Sequence, residues 1–194
     1  MERIIEILKK TEALLEGHFI LSSGLHSSNY VQCAKVFEYP DYGEEVGRMV
    51  AEKIKELSID CTVVIGPALG GVIVAYEVAK FLGVRSMFTE REDNVMKLRR
   101  GFEICPTDKV LIVEDVVTTG KSTLEVFDVV KSYGASVAGF ASIINRSRKE
   151  NPFENTGKPY AWLVRFDFPT YDAQHCPLCK DSIPAIKPGS RKMI

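Results

Sequence analysis

From Cys61 onward, short apolar runs rich in β-branched residues alternate with helical spacing, and that alternation limits what the chain can become. Thr62-Val63-Val64-Ile65 stops at Gly66-Pro67-Ala68-Leu69-Gly70-Gly71, and Val72 to about Leu82 then reads as a helix capped by Gly83. Val110-Leu111-Ile112-Val113 is a second buried strand, which runs into Glu114-Asp115, the Thr118–Thr123 loop and a helix reaching Tyr133-Gly134. Val137 to Ile144 and Ala161-Trp162-Leu163-Val164 are further strands. Apolar strands alternating with helices build βαβ units. The expected class is α/β, a mostly parallel central sheet flanked by helices, with ligands at the strands' carboxyl ends.

Ahead of this region, Ile4, Ile7, Leu8, Leu14 and Leu15 recur at helical spacing, which predicts an amphipathic helix near 2–16 ended by Gly17. The polar stretch Ser22 to Tyr30 reads as a turn between two short strands, and Pro40 as a further break. Val46, Met49, Val50, Ile54 and Leu57 mark a second amphipathic helix. No repeat, low-complexity tract or boundary divides the chain, so residues 1–194 are expected to form one domain. Hydrophobic residues are 45% of it, enough for a sizeable core. A net charge of −1 supplies no field for nucleic acid or a membrane surface, so an anionic ligand must be met by local basic groups. No apolar run is long enough to span a bilayer, and MERIIEILKK reads as an amphipathic helix rather than a signal peptide. Five cysteines in such a chain point to reduced thiols and a cytoplasmic location.

Gly120-Lys121-Ser122 after a hydrophobic strand invites comparison with the phosphate loop of nucleoside triphosphatases. That loop needs a glycine five positions before Gly120, where Asp115 stands, and a carboxylate there would repel a polyphosphate. What remains is an acid pair at the end of a buried strand, followed by a hydroxyl- and glycine-rich loop that opens a helix. A helix N-terminus suits a phosphate monoester, and Glu114 and Asp115 can accept hydrogen bonds from a vicinal diol. The combination describes a ribose 5-phosphate site. The full string, Val110 to Val113, then Glu114, Asp115, Val116, Val117, Thr118, Thr119, Gly120, Lys121 and Ser122, resembles the phosphoribosyl pyrophosphate signature of type I phosphoribosyltransferases. Lys121 departs from it, since the family more often has a small residue there.

The resemblance covers most of residues 17–146. Gly66, Pro67, Ala68, Leu69 and Gly70 are similar to the family's pyrophosphate loop, and Arg91 to the first arginine of its mobile basic loop. Lys97, Arg99 and Arg100 are the available basic substitutes for the lysines and histidine of longer loops. Two features resemble orotate phosphoribosyltransferases in particular, and a short-chain subgroup of them. Gly17 to Gly24 with Ser27 to Tyr30 matches a hood over the pyrimidine, where Ser23 and Gly24 would meet orotate; many members carry a lysine where Ser22 stands. Asn145-Arg146 follows the strand Val137–Ile144, and an arginine there can pair bidentately with orotate's carboxylate, beside Thr118.

The resemblance implies a type I phosphoribosyltransferase fold, with the N-terminal helix and a small hood in residues 1–40 and a C-terminal extension in 170–194. It implies transfer of the 5-phosphoribosyl group from phosphoribosyl pyrophosphate to orotate, with Arg91, Lys97 and Asp115 in catalytic roles. Mg²⁺ is the expected cofactor, held mainly by the substrate and touched by Asp115 at most through water. A homodimer with shared sites is expected. A transferase for another base and a non-catalytic sensor of phosphoribosyl pyrophosphate are the rivals. None of Cys33, Cys61 and Cys105 has a nucleophile's context; all three read as core or strand residues. His175-Cys176-Pro177-Leu178-Cys179 resembles half of a zinc site, open between two free thiols, a disulfide, a site shared between subunits, and one with His175 as third ligand. His26 reads as a solvent-facing turn histidine.

Overall fold

The computed structural model describes residues 2–21 and 23–188. The first helix, α1 (Glu2–Lys10), is shorter than the spacing predicts. Glu12 adopts φ 56°, which breaks the helix, and Leu14 and Leu15 open strand β1 (Leu14–Ile20). Two adjacent leucines fit a helix face and a strand equally well, and pairing with Val31 and Tyr30 decides for the strand. β2 (His26–Val31) returns antiparallel to β1. The turn is thus shorter than expected, since Ser27 to Tyr30 lie in β2. Gly17 is no helix cap. Glu16 faces Asn29 and Phe19 faces Ser27, so Gly17 and His18 together oppose Ser28 in a β-bulge. Ser22 lies outside the described residues.

Pro40 does not merely break the chain but sits in the first turn of α2 (Pro40–Glu56), where its missing N–H costs nothing. Beyond it come β3 (Val63–Pro67), α3 (Gly70–Leu82), β4 (Arg85–Glu92), β5 (Val95–Leu98), β6 (Lys109–Val117), α4 (Lys121–Ser132), β7 (Ser136–Asn145) and β8 (Tyr160–Arg165). The sheet order is β5-β4-β3-β6-β7-β8, parallel throughout except for the β4–β5 hairpin. Both faces of the parallel sheet are covered, which is why its central strands read as unbroken apolar runs. In β6, Leu111 and Val113 face the cluster made with α2 and α3, while Val110 and Ile112 face the one that includes Val126 and Val130 of α4. Gly83 takes the left-handed conformation (φ 70°) expected of the α3 cap. The β4–β5 connection has only Asp93 and Asn94, both at positive φ (52° and 63°), the pattern of a type I′ hairpin turn.

The C-terminal segment is not a loose extension. β9 (Thr170–Tyr171) adds to the free edge of β2, and Phe19 bridges Ile186. Between them lies the short helix α5 (Pro177–Lys180). The hood is therefore a three-stranded sheet, β1-β2-β9, built from both ends of the described chain. Residues 189–194 lie outside the described residues.

Candidate active site

β6 delivers its two acids to very different surroundings. Strand alternation turns Glu114 toward the buried side, only 9% exposed, and leaves Asp115 half-buried. Burial, reinforced by the neighbouring charge of Asp115, pushes the Glu114 carboxyl from 4.5 up to about 9. Near neutral pH it carries a proton and can donate as well as accept. Asp115 Oδ1 accepts from the Val116 amide at 2.8 Å, which fixes the carboxylate at the strand's end. Gly70 lies directly opposite: a Cβ there would sit 2.6 Å from both Asp115 carboxylate oxygens. The contact brings the Gly66–Gly71 loop against the acid pair.

At the carboxyl end of β6 and in the loop after it, Val116, Val117, Thr118, Thr119, Gly120, Lys121 and Ser122 line a small cavity of about 70 Å³ together with Glu114. Gly120 caps α4 at φ 76°, and a Cβ there would strike the Phe153 ring at 2.7 Å. The first-turn amides of α4 have no intrahelical acceptor and point out of the helix end. Thr119 Oγ1 takes one of them, that of Lys121, at 3.3 Å. Thr118, Thr119 and Lys121 are exposed, so an incoming anion meets hydroxyls, amides and an ammonium group.

β7 brings Arg146 beside this loop. Val117 pairs with Asn145, and the Arg146 amide donates to the Val117 carbonyl at 2.8 Å. Asn145 is fully buried and holds the turn that follows, accepting from the Ser147 amide and donating to the Glu150 carbonyl. Among the described residues the half-buried Arg146 guanidinium has no hydrogen-bonding or ionic partner. Thr118 and Arg146 are thus brought together, as the sequence expects. Ser23 and Gly24 sit exposed at the hood's turn, and no hydrogen bond joins them to Thr118 or Arg146.

Arg91 and Lys97 lie on the β4–β5 hairpin, and Arg99 and Arg100 directly follow it. Arg91 (β4) forms an ion pair with Glu125 of α4 that lacks the alignment of a hydrogen bond, and donates to the Asn94 carbonyl at 3.2 Å. Lys97 (β5) pairs with Glu92 at 2.7 Å, and Arg99 and Arg100 with the hairpin's own Glu92 and Glu90. All four cations are held by carboxylates in this conformation, and none of them is paired with Glu114 or Asp115. Their spacing in sequence does not reveal these partners.

Two residues at the site carry no signal in sequence. Thr89 is fully buried within β4, beside Pro67 at the carboxyl end of β3, with its hydroxyl unpaired, while its carbonyl accepts from the Ala68 amide at 2.7 Å. Asn145 reads in the sequence only as the neighbour of Arg146, whereas in the structure its side chain holds the turn that follows Arg146. Of the cysteines, Cys33 is buried in a 3-10 turn, where burial and then the charges of Asp115 and Glu114 hold its thiol well above the usual range. Burial pushes Cys61 up to about 11, so neither is a nucleophile. Cys105 lies exposed in the turn before β6, not in core or strand, because Pro106 and Thr107 interrupt the apolar pattern around it.

The strongest departure concerns His26 and the C-terminal cysteines. His26 is 7% exposed and opens strand β2, rather than facing solvent in a turn. Its Nδ1 lies 2.7 Å from His18 Nε2 and 3.3 Å from Cys179 Sγ. His175, adjacent to Cys176 in sequence, is exposed and outside this group.

A phosphoribosyl transferase domain model matches residues 34–161. The chain is 54% identical to the orotate phosphoribosyltransferase of Caldanaerobacter subterraneus subsp. tengcongensis, covering 99% of this chain and 98% of that one. With the orotate phosphoribosyltransferase of Thermotoga maritima the identity is 56%, over 97% of this chain and 98% of the relative. Among solved structures, the orotate phosphoribosyltransferase of Aeropyrum pernix superimposes with a TM-score of 0.69 at 25% identity, over 84% of this chain and 93% of that one. The acid pair running into a phosphate-sized cradle and the free arginine beside it agree with these likenesses, and the chain belongs to the phosphoribosyl transferase family, in its orotate phosphoribosyltransferase branch.

Proposed function

We infer that this chain transfers the 5-phosphoribosyl group of phosphoribosyl pyrophosphate to orotate, giving orotidine 5′-monophosphate and pyrophosphate. The observation that carries this reading is the side-by-side placement of the α4 phosphate cradle and the unpaired Arg146, tied through the Arg146–Val117 backbone bond. In it, the α4 amides with Thr118, Thr119 and Ser122 hold the 5-phosphate, and Asp115 accepts from a ribose hydroxyl. The protonated Glu114 can donate to the other hydroxyl, a role its burial and raised pKa support. Gly66, Pro67, Ala68, Leu69 and Gly70 meet the pyrophosphate through their backbone. Arg146 pairs with the orotate carboxylate, with Thr118 beside it and Ser23 and Gly24 above the ring. No side-chain nucleophile is needed: the work is positioning and stabilising charge on the leaving group.

The departing charge calls for cations. Arg91 and Lys97 are the mobile ones, exchanging Glu125 and Glu92 for pyrophosphate as the hairpin adjusts. Mg²⁺ fits the donor set only loosely: Glu114 is held protonated and Asp115 is the remaining carboxylate, so the ion would be carried by the substrate with Asp115 touching it through water. When bound, it neutralises the departing pyrophosphate. We take the chain as one domain over 1–194, working in the cytoplasm as a homodimer. Five cysteines, all free, support the location, and no helix among the described residues is long and apolar enough to cross a membrane.

The test is a panel of orotate, uracil, adenine, hypoxanthine and guanine with phosphoribosyl pyrophosphate and Mg²⁺, following pyrophosphate release. Orotate alone should be consumed. Uracil turned over equally well would remove the carboxylate from the recognition scheme, and no turnover of any base would favour a sensor.

A further inference from the structure

We propose that His18, His26, Cys176 and Cys179 form a structural Zn²⁺ site that pins the C-terminal segment to the hood. The four donor atoms lie within 4.8 Å of one another, although Cys176 stands 158 residues from His18. Zinc bonds of ~2.3 Å to sulfur and ~2.0–2.1 Å to nitrogen imply tetrahedral edges of roughly 3.3 Å between nitrogens and roughly 3.5–3.6 Å between nitrogen and sulfur. The cysteine sulfurs stand 3.7 and 3.8 Å from His18 Nε2, and Cys179 stands 3.3 Å from His26 Nδ1. The histidine nitrogens, at 2.7 Å, need to part by about 0.6 Å to reach a tetrahedral edge, a side-chain adjustment.

The surroundings are those of a ligand set. His18 Nδ1 lies 2.7 Å from the Ile183 carbonyl, which can only accept, so Nδ1 carries the proton and Nε2 presents its lone pair to the cluster. The β-bulge at Gly17-His18 re-aims the His18 side chain against the pleat, and His26 comes from the facing strand. His18, His26 and Cys176 are 2%, 7% and 1% exposed. Two thiolates neutralise a divalent ion, so the filled site buries no net charge. Thiolate with imidazole and no carboxylate selects zinc over magnesium or calcium, and four protein ligands leave no open position, which makes the site structural rather than catalytic.

The experiment is elemental analysis of the full chain purified anaerobically without chelating resins, followed by exchange of the bound ion for Co²⁺. One Zn²⁺ per chain is expected, with the intense visible bands of tetrahedral cobalt and a thiolate charge-transfer band. Cys179→Ser, at an exposed position, should fold and lose that charge-transfer intensity and most of the metal, while His175→Ala should keep both. Metal far below stoichiometric, an octahedral cobalt spectrum, a Cys176–Cys179 disulfide in the fresh protein, or equal loss in His175→Ala would each overturn the assignment. None of these readouts depends on turnover, so the result stands apart from the base panel.

Discussion

Glu114 and Asp115 are adjacent in sequence and differ in what surrounds them, and that difference is measurable. The Glu114 carboxyl titrates at 4.5 when unfolded and at about 9 when folded, so the folded chain holds the extra proton across that interval. The stability carried by that proton is complete below pH 4.5 and is lost as pH rises through about 9. Glu114→Gln has no such proton to lose. Its urea midpoint relative to wild type should therefore climb steadily between those two values of pH, and parallel curves would mean that Glu114 is solvated. Arg146 supports a second expectation. Removing one partner of a desolvated charge pair costs roughly 2–5 kcal/mol. Because Arg146 is only half-buried, the lower end applies, and Arg146→Ala should weaken orotate binding about 30-fold. Calorimetric titration should find phosphoribosyl pyrophosphate binding little changed, and a matched loss for both ligands would make Arg146 a support of the fold. Both residues were legible in the sequence, because a carboxylate pair or an arginine at a strand's end is chemistry written locally. Thr89 and Asn145 were not, since their importance lies in what three-dimensional packing puts against them.

The elements divide along the same line. The β3-α3 and β6-α4 units were readable to within a few residues, because buried parallel strands are apolar runs bounded by glycine and hydroxyl loops; β6 runs on through Glu114-Asp115 to Val117, past the end of its apolar run. The failures fall where periodicity is ambiguous or where pairing is remote. Leu14 and Leu15 looked helical because α1 immediately precedes them at the same spacing. Ser27, Ser28 and Asn29 have turn chemistry, yet they stand in β2 because β1 runs antiparallel beside them, and Thr170 of β9 pairs with Ser27 from the other side. In the β4–β5 hairpin, the two-residue turn Asp93-Asn94 is the local signal that separates it from a mobile loop. Its acids, alternating with its basic residues, give the cations resting partners that no linear reading of charge assigns.

At the scale of the whole molecule, Leu69, Ile73 and Tyr76 are exposed (88%, 49% and 62%) and, at helical spacing, form an apolar patch from the Gly66–Gly71 loop along α3. A second copy of the chain is the occupant we propose for it, and a shared site follows if Arg91 acts across that contact. Inactive Arg91→Ala and Asp115→Asn proteins, mixed and allowed to exchange subunits, should then recover activity, because each hybrid contains one site with neither lesion. Equal mixing makes half the dimers hybrids, so about a quarter of wild-type turnover is expected. No recovery despite verified exchange would mean that each site is built within one chain. The hood has a different consequence, which concerns synthesis. β1 and β2 are made early, but β9 and the Phe19–Ile186 bridge that complete their sheet are made last. At roughly 5–20 residues per second, β2 keeps an open edge on the ribosome for roughly 7–30 s while the central sheet is translated. A nascent chain stopped before Thr170 exposes that edge to its neighbours, so the late synthesis of β9 is what covers β2.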